Sequence, residues 1–152
     1  MAMHYTPGQL REALGLPKET FRYWRKELAV LAPRRGPRAC FGPADLLATA
    51  IIRQVTNLGV PVGRLANLAG DIFDECRRSN WLQLGRQTLL LQLDAHTVRF
   101  SDDAMVPEGE ATIAIPLGPL VDSLRRHLLA DETSSQRNLT FPPLSVAKRA
   151  RS

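Results

Sequence analysis

The sequence predicts an α+β protein in which a helical N-terminal unit precedes a small mixed unit. In the first half, apolar residues recur at helical spacing and Pro or Gly residues mark the helix ends. Beyond residue 80 the period changes, because residues 88–100 and 111–117 alternate as strands do, and residues 119–129 form one amphipathic helix. We expect a winged-helix unit over residues 1–78, an α+β unit of about three strands and one helix over 81–130, and a disordered tail over 131–152.

The first two helices are predicted to form a helix-turn-helix. Thr6 and Gln9 have the spacing of a capping box, and Pro7 occupies the first helical position between them. Gly15 suits the left-handed cap that ends this helix, and Pro17 opens the next helix at once. Two short helices joined so tightly are typical of a helix-turn-helix, whose second helix enters the DNA groove.

The second helix, about residues 17–28, has an apolar face and a basic face. Phe21, Trp24 and Leu28 recur at core spacing. The alternative for the basic face is an ordinary solvated surface, and the arginines that follow make this alternative weaker. Among the basic residues, we expect Arg22 and Arg25 to reach base edges. The DNA-contacting residues predicted on this helix are Lys18, Thr20, Arg22, Tyr23, Arg25 and Lys26.

The next segment, APRRGPRAC, predicts a short hairpin or wing. Its three arginines, Arg34, Arg35 and Arg38, surround a Gly-Pro tip and are expected to lie on phosphates or in a minor groove. Residues 1–42 contain eight basic and three acidic residues, whereas residues 43–152 contain twelve of each. The whole net charge of +5 therefore lies in the first 42 residues, as expected for a polyanion partner.

Two further helices are predicted to support the reader helix and the wing. The third covers about residues 43–58 and the fourth about residues 61–78, with Gly70 as the point where the fourth bends or splits. Their apolar stripes are typical of scaffold helices.

Two segments resemble the winged-helix regulators of the MerR type. FRYWRKELAVLAP resembles their "LRYYE…GLL.P" stretch, and FGPADLLATAIIRQVTNLGVPVGRLANL is similar to their "Y…DL…I..L..LGFSL.EI..L" continuation. The resemblance covers about residues 5–78, without the long dimerisation helix that usually follows. Arg25 replaces the family's Glu, and Arg38-Ala39-Cys40-Phe41 replaces the Tyr-Arg-x-Tyr end of the wing.

The resemblance implies a sequence-specific regulator of transcription, bacterial or phage in origin, with double-stranded DNA as its partner. Its reader helix would lie in the major groove and its wing on the flanking backbone or minor groove. Two alternatives stay open, namely an architectural, excisionase-like protein of recombination and a protein-interaction adaptor whose basic face binds an acidic partner.

The unit over residues 81–130 is expected to make a homodimer. Leu89, Leu91 and Leu93 alternate with Leu90, so a three-stranded sheet covered by one helix would leave a second apolar face or an open edge. We also expect residues 1–78 to fold alone as a monomer. A sensor pocket and an interface for RNA polymerase are the alternative uses of the C-terminal unit.

No pattern of catalytic or metal-binding residues is present in the sequence. Cys40 and Cys76 are 36 residues apart, and no CxxC, HExxH or phosphate-binding glycine loop occurs. We expect no enzyme activity, no metal and no cofactor. The absence of a signal peptide and of an apolar run of membrane-spanning length predicts a cytoplasmic, nucleoid-associated protein without a membrane partner.

Overall fold

A computed structural model describes residues 4–33, 40–103, 105–106 and 108–138. In the described residues, five α-helices precede a three-stranded sheet and a long helix follows it, which confirms the α+β class. The helices are α1 (Pro7–Leu14), α2 (Lys18–Glu27), α3 (Pro43–Asn57), α4 (Ala69–Arg78), α5 (Trp81–Leu84) and α6 (Gly118–Asn138). The strands are β1 (Thr88–Gln92), β2 (Thr97–Ser101) and β3 (Ile113–Pro116), and 3₁₀ turns occur at Ala29–Leu31 and Val62–Leu65.

The ends of α1 form as the sequence predicts. The Thr6 hydroxyl accepts from the Gln9 backbone N–H at 3.2 Å, and the Gln9 side chain accepts from the Thr6 backbone N–H at 2.9 Å. Gly15 adopts the left-handed conformation with φ 61°, which a side chain would disfavour. The chain then enters α2 after Leu16 and Pro17, so the turn that sets the angle between the two helices is rigid at both ends.

Helix α3 lies at the centre of the molecule. Residues on every side of it are fully buried, including Leu46, Leu47, Ile51, Ile52 and Val55. Helices α1, α4 and α6 all contact it. Residues 45–52 are all buried, so this part of the helix is covered on every side. This explains why the sequence of α3, PADLLATAIIRQVTN, is richer in apolar residues than one amphipathic stripe requires.

An ion pair between the buried Asp45 and the exposed Arg77 joins α3 to α4. One carboxylate oxygen of Asp45 accepts the Gly42 N–H at 2.9 Å and so caps α3. The other oxygen accepts from the Arg77 Nη2 at 2.8 Å and from its Nε at 3.2 Å. The Arg77 guanidinium also lies 5.6 Å from the centre of the Phe73 ring. Asp45 therefore fixes both the start of α3 and the position of α4.

The predicted fourth helix is divided into two. A 3₁₀ turn covers Val62–Leu65 and α4 starts at Ala69, so the break precedes Gly70, where the sequence had indicated a bend. The amides of Ala66 and Leu68 each donate to the carbonyl three residues before them, which is the 3₁₀ pattern. This tighter winding keeps Leu65 and Leu68 fully buried in the core.

The three strands form an antiparallel sheet in the order β2-β1-β3. Leu89 pairs with Phe100 and Ile115, and Leu91 pairs with Val98 and Ile113, so these side chains share the face that packs on the core. Leu90 lies on the other face between Arg99 and Ala114, and it is itself buried. The expectation of a second broad apolar face is therefore wrong, because the neighbours of Leu90 on that face are polar or small.

The helical and mixed parts of the chain share one hydrophobic core. Helix α6 packs on α3, and β2 contacts α4. Val121 and Leu124 of α6 are buried in the same cluster as the core of the first four helices. The change near residue 80 is thus a change of secondary structure within one core. The prediction that residues 1–78 fold alone stays untested, and the burial of α3 by α6 counts against it.

The last helix is longer than its sequence pattern indicated. We predicted a helix over 119–129 and a tail from residue 131, whereas α6 continues to Asn138. The segment Asp131–Asn138 lacks apolar residues, and this is why the amphipathic pattern ends before the helix does. Residues 139–152 of the predicted tail lie outside the described residues. In the part of the chain that is described, we find no helix with the length and apolar character needed to cross a membrane.

Candidate nucleic-acid interface

Helices α1 and α2 enclose a shallow concave surface of about 620 Å³, which we call the basic groove. Among the described residues, five basic side chains line it and no acidic side chain does. Its lining residues are Pro7, Gly8, Arg11, Lys18, Phe21, Arg22, Arg25, Lys26 and Pro33. The positive potential of five clustered cations, concentrated by the concave shape, favours a polyanion.

The basic groove follows from the periodicity of α2. Phe21 and Trp24 are buried, and they hold the opposite side of this helix on the core. Since a helix turns about 100° per residue, Lys18, Arg22, Arg25 and Lys26 then fall on one stripe beside that apolar face. The exposed positions of this stripe are Lys18, Arg22 and Lys26, whereas Arg25 is half-buried.

Arg25 is held by two neighbours at the end of α2. Its Nε donates to the Leu31 carbonyl oxygen at 2.9 Å. Its guanidinium carbon lies 5.6 Å from the centre of the Phe21 ring, within the range of a cation–π contact. The side chain therefore connects the second helix to the chain segment that leads into the wing.

Arg11 is a groove residue that we did not predict. It lies in the last turn of α1, and its Nη1 approaches the Leu16 carbonyl oxygen at 3.4 Å. The sequence showed its charge, but its position beside α2 depends on the angle that the Gly15 turn imposes between the two helices. A basic residue four positions before a glycine that ends the helix, as Arg11 is before Gly15, is the sequence pattern that could have predicted it.

Two predicted contact residues on α2 lie outside the basic groove. Thr20 is half-buried and Tyr23 is 53% exposed, and neither lines the groove. Helical geometry places them about 100–160° from Arg22, on the side where α2 contacts the Val62–Leu65 turn. Nothing in the structure brings them to the other predicted contacts, and their role in DNA binding stays a prediction.

The segments on either side of the predicted wing are anchored to the helix-turn-helix. Tyr5 and Phe41 form an antiparallel bridge, with backbone N···O distances of 2.7 and 2.8 Å. Pro33 lines the basic groove at the other end of the segment. Residues 34–39, and with them Arg34, Arg35 and Arg38, lie outside the described residues.

The two cysteines have different environments. Cys40 is half-buried before Phe41, and Cys76 is buried in α4. Burial, reinforced by the negative charges of Asp45 and Glu75, raises the pKa of the Cys76 thiol to about 12. Cys76 is therefore an inert core residue at neutral pH. Among the described residues, no group of three His, Cys, Asp or Glu side chains is arranged to hold a metal ion.

The raised pKa of Cys76 predicts a loss of stability in alkali. The folded state keeps the thiol protonated, whereas an unfolded thiol ionises near pH 8.5. The contribution of the protonated Cys76 thiol to the free energy of unfolding should be complete below the pKa of the unfolded thiol. It should fall as the pH rises from about 9 to about 12. Urea unfolding across this range checks it, with Cys76→Ala as the control. A pH dependence identical in both proteins would contradict the assignment.

Comparison with known proteins identifies the part of the chain that contains the groove. Residues 5–70 match the family model described as MerR HTH family regulatory protein. Neither the curated proteins nor the solved structures contain a significant match. The matched residues include α1, α2, α3 and the segment of the predicted wing. Over residues 5–70 the chain is similar to the helix-turn-helix of the MerR family of regulatory proteins.

Proposed function

We propose that the protein regulates transcription by binding double-stranded DNA sequence-specifically, with α2 in the major groove and the wing on the flanking backbone or minor groove. The observation that carries the proposal is the basic groove, in which Arg11 of α1 and four cations of α2 converge without an acidic neighbour in its lining. Such a surface on a MerR-like helix-turn-helix suits a duplex, since phosphates supply most of the affinity and the second helix reads bases.

The geometry supports base contacts by some residues of the groove and phosphate contacts by others. In a helix-turn-helix the N-terminal residues of the second helix contact base edges. Lys18 and Arg22 occupy that part of α2 and are exposed. Arg22 can donate two hydrogen bonds to one guanine, and this makes it the first candidate for base recognition. Arg11 lies in the last turn of α1 and Lys26 in the last turn of α2, away from the N-terminal residues of the second helix, so phosphates are their expected partners.

A dimer would match the symmetry of most operators. We place the contact between protomers in the C-terminal unit, where β2 and β3 each leave one edge unpaired among the described strands. RNA polymerase is a further proposed partner, and the nucleoid in the cytoplasm is the proposed location. Sedimentation of the full chain tests the dimer. A dimer with a Kd of about 1 μM would persist at tens of micromolar protein, so a monomer at that concentration would exclude it.

The proposal predicts strongly salt-dependent binding. If four to six basic residues of each protomer meet phosphates, the logarithm of the affinity should fall against the logarithm of salt concentration with a slope of about −4 to −5 per protomer. Fluorescence anisotropy with a duplex of random sequence measures this slope. An affinity that is flat between low and physiological salt would exclude the basic groove as a phosphate-binding surface.

Sequencing the DNA fragments that the purified protein retains tests the specific part of the proposal. An inverted repeat at a promoter is the result expected of a regulator that binds as a symmetric pair. Direct repeats would instead indicate an architectural, excisionase-like protein. Retention of no duplex at all would favour the protein-interaction adaptor.

A further inference from the structure

We propose that Arg25 is a positioning residue that fixes the start of the wing against α2 and, in that fixed position, binds a DNA phosphate. The proposal rests on the proposed function and assigns to Arg25 a role other than the base reading that its place in the basic stripe had indicated. It is carried by the contacts that Arg25 makes with Leu31 and Phe21, together with its place in the lining of the basic groove.

The first step concerns the joint between α2 and the wing. Helix α2 ends at Glu27, and the chain then makes the 3₁₀ turn Ala29–Leu31 before Pro33. The Leu31 side chain is fully buried, so its carbonyl occupies a fixed position. The hydrogen bond from Arg25 Nε spans six residues and closes this turn onto the last turn of the helix. Loss of the bond would remove the side-chain hydrogen bond between α2 and this turn, while the burial of Leu31 and the contact of the turn with α4 would remain.

The second step concerns the rest of the guanidinium group. Arginine has five N–H donors, and the bond from Nε leaves the four on Nη1 and Nη2 for other partners. The cation–π contact with Phe21, which lines the same groove, further restricts the position of the guanidinium group. In the part of the chain that the structure describes, no carboxylate pairs with Arg25. A fixed guanidinium with free paired donors is suited to a phosphate.

The position of Arg25 along α2 indicates that it contacts a phosphate and not a base. Arg25 lies in the last turn of the helix, whereas base contacts come from the first turns of a reader helix. Its Nε is committed to Leu31, and its side chain is half-buried, so it cannot extend as far as the exposed Arg22. Arg25 should therefore contribute to the affinity for every sequence, and its contribution should depend on its orientation as well as its charge.

Arg25→Lys separates charge from orientation, since lysine keeps the charge but has no planar group that can serve Leu31 and a phosphate together. Arg25→Ala removes both. Lys26→Ala is the matched control, because Lys26 is the exposed next residue in the same groove. Two measurements apply to each variant of the full chain. The first is amide hydrogen exchange at Leu31 and Ala32 in the free protein, and the second is the affinity for a duplex of random sequence.

We expect exchange at Leu31 and Ala32 to rise about tenfold in both Arg25 variants, as loss of one hydrogen bond implies, and to stay unchanged in Lys26→Ala. The affinity should fall about tenfold or more in Arg25→Ala and almost as far in Arg25→Lys. Unchanged exchange in Arg25→Ala would overturn the positioning role. Affinity of the Arg25→Lys variant equal to that of the original chain would overturn the oriented phosphate contact.

The two measurements also separate this proposal from the proposed function. Failure of the original chain to bind any duplex would overturn the proposed function and the phosphate contact together. Exchange in the free protein does not involve DNA, so a rise at Leu31 and Ala32 would still establish Arg25 as the residue that joins α2 to the wing.

Discussion

Replacing Trp24 with alanine is expected to lower the free energy of unfolding by about 3–5 kcal/mol. Trp24 is only 4% exposed and holds the reader helix on the core together with Phe21 and Leu28. Truncation removes the largest apolar contact of α2 and leaves a cavity that the surrounding helices can fill only in part. Because stability of small domains is about 5–15 kcal/mol, the variant should be close to unfolding.

Tyr23→Ala provides the matched control for this experiment. Tyr23 is the neighbouring aromatic residue, but it is exposed, so its loss should change stability by no more than about 0.5 kcal/mol. Urea unfolding followed by circular dichroism compares the two variants without relying on tryptophan fluorescence. Equal effects of the two substitutions would show that α2 is not packed through the face described here.

Replacing Arg77 with alanine is expected to cost about 1–2 kcal/mol, because the buried Asp45 carboxylate loses its charged partner, although the exposed position of Arg77 lets water take part of its place. Asp45 retains the bond from Gly42, but the oxygen that accepts from Arg77 loses both of its donors. Asp45→Asn should be milder than Arg77→Ala, since the amide is neutral and its oxygen can still cap α3.

Arg78→Ala is the control for the ion pair. Arg78 is the next residue, and it pairs with Glu75 at the surface, where such pairs contribute at most about 1 kcal/mol. Thermal or urea unfolding measures the three variants side by side. A loss of stability in Arg77→Ala no larger than that in Arg78→Ala would contradict the structural role of the Asp45–Arg77 pair.

The parts of the structure that the sequence predicts well are those encoded by neighbouring residues. The Thr6–Gln9 capping box, the glycine cap at Gly15 and the basic stripe of α2 each depend on residues within one or two helical turns. Such short-range signals determine local structure before any tertiary contact forms. The order of helices and strands could therefore be predicted, along with the α+β class.

The parts that the sequence does not predict depend on contacts between distant residues. The Asp45–Arg77 pair joins positions 32 residues apart, and no local pattern marks it. Arg11 enters the groove because of an interhelical angle, and Arg25 is redirected by the Leu31 carbonyl. A second apolar face or an open edge was predicted because Leu90 alternates with Leu89, Leu91 and Leu93, whereas the register places Leu90 between Arg99 and Ala114.

The central claim is that α2 reads DNA through Arg22, and one binding comparison tests it most directly. The DNA affinity of Arg22→Ala is compared with that of Arg125→Ala, since Arg125 is an exposed arginine of α6 outside the groove. Each affinity is measured on the site found by sequencing the retained DNA fragments and on a duplex of random sequence. The account predicts that Arg22→Ala loses about 1–3 kcal/mol of discrimination between the two DNAs, while Arg125→Ala keeps it. The claim would be contradicted if Arg22→Ala lost the same affinity on both DNAs, or if the two variants discriminated equally between them.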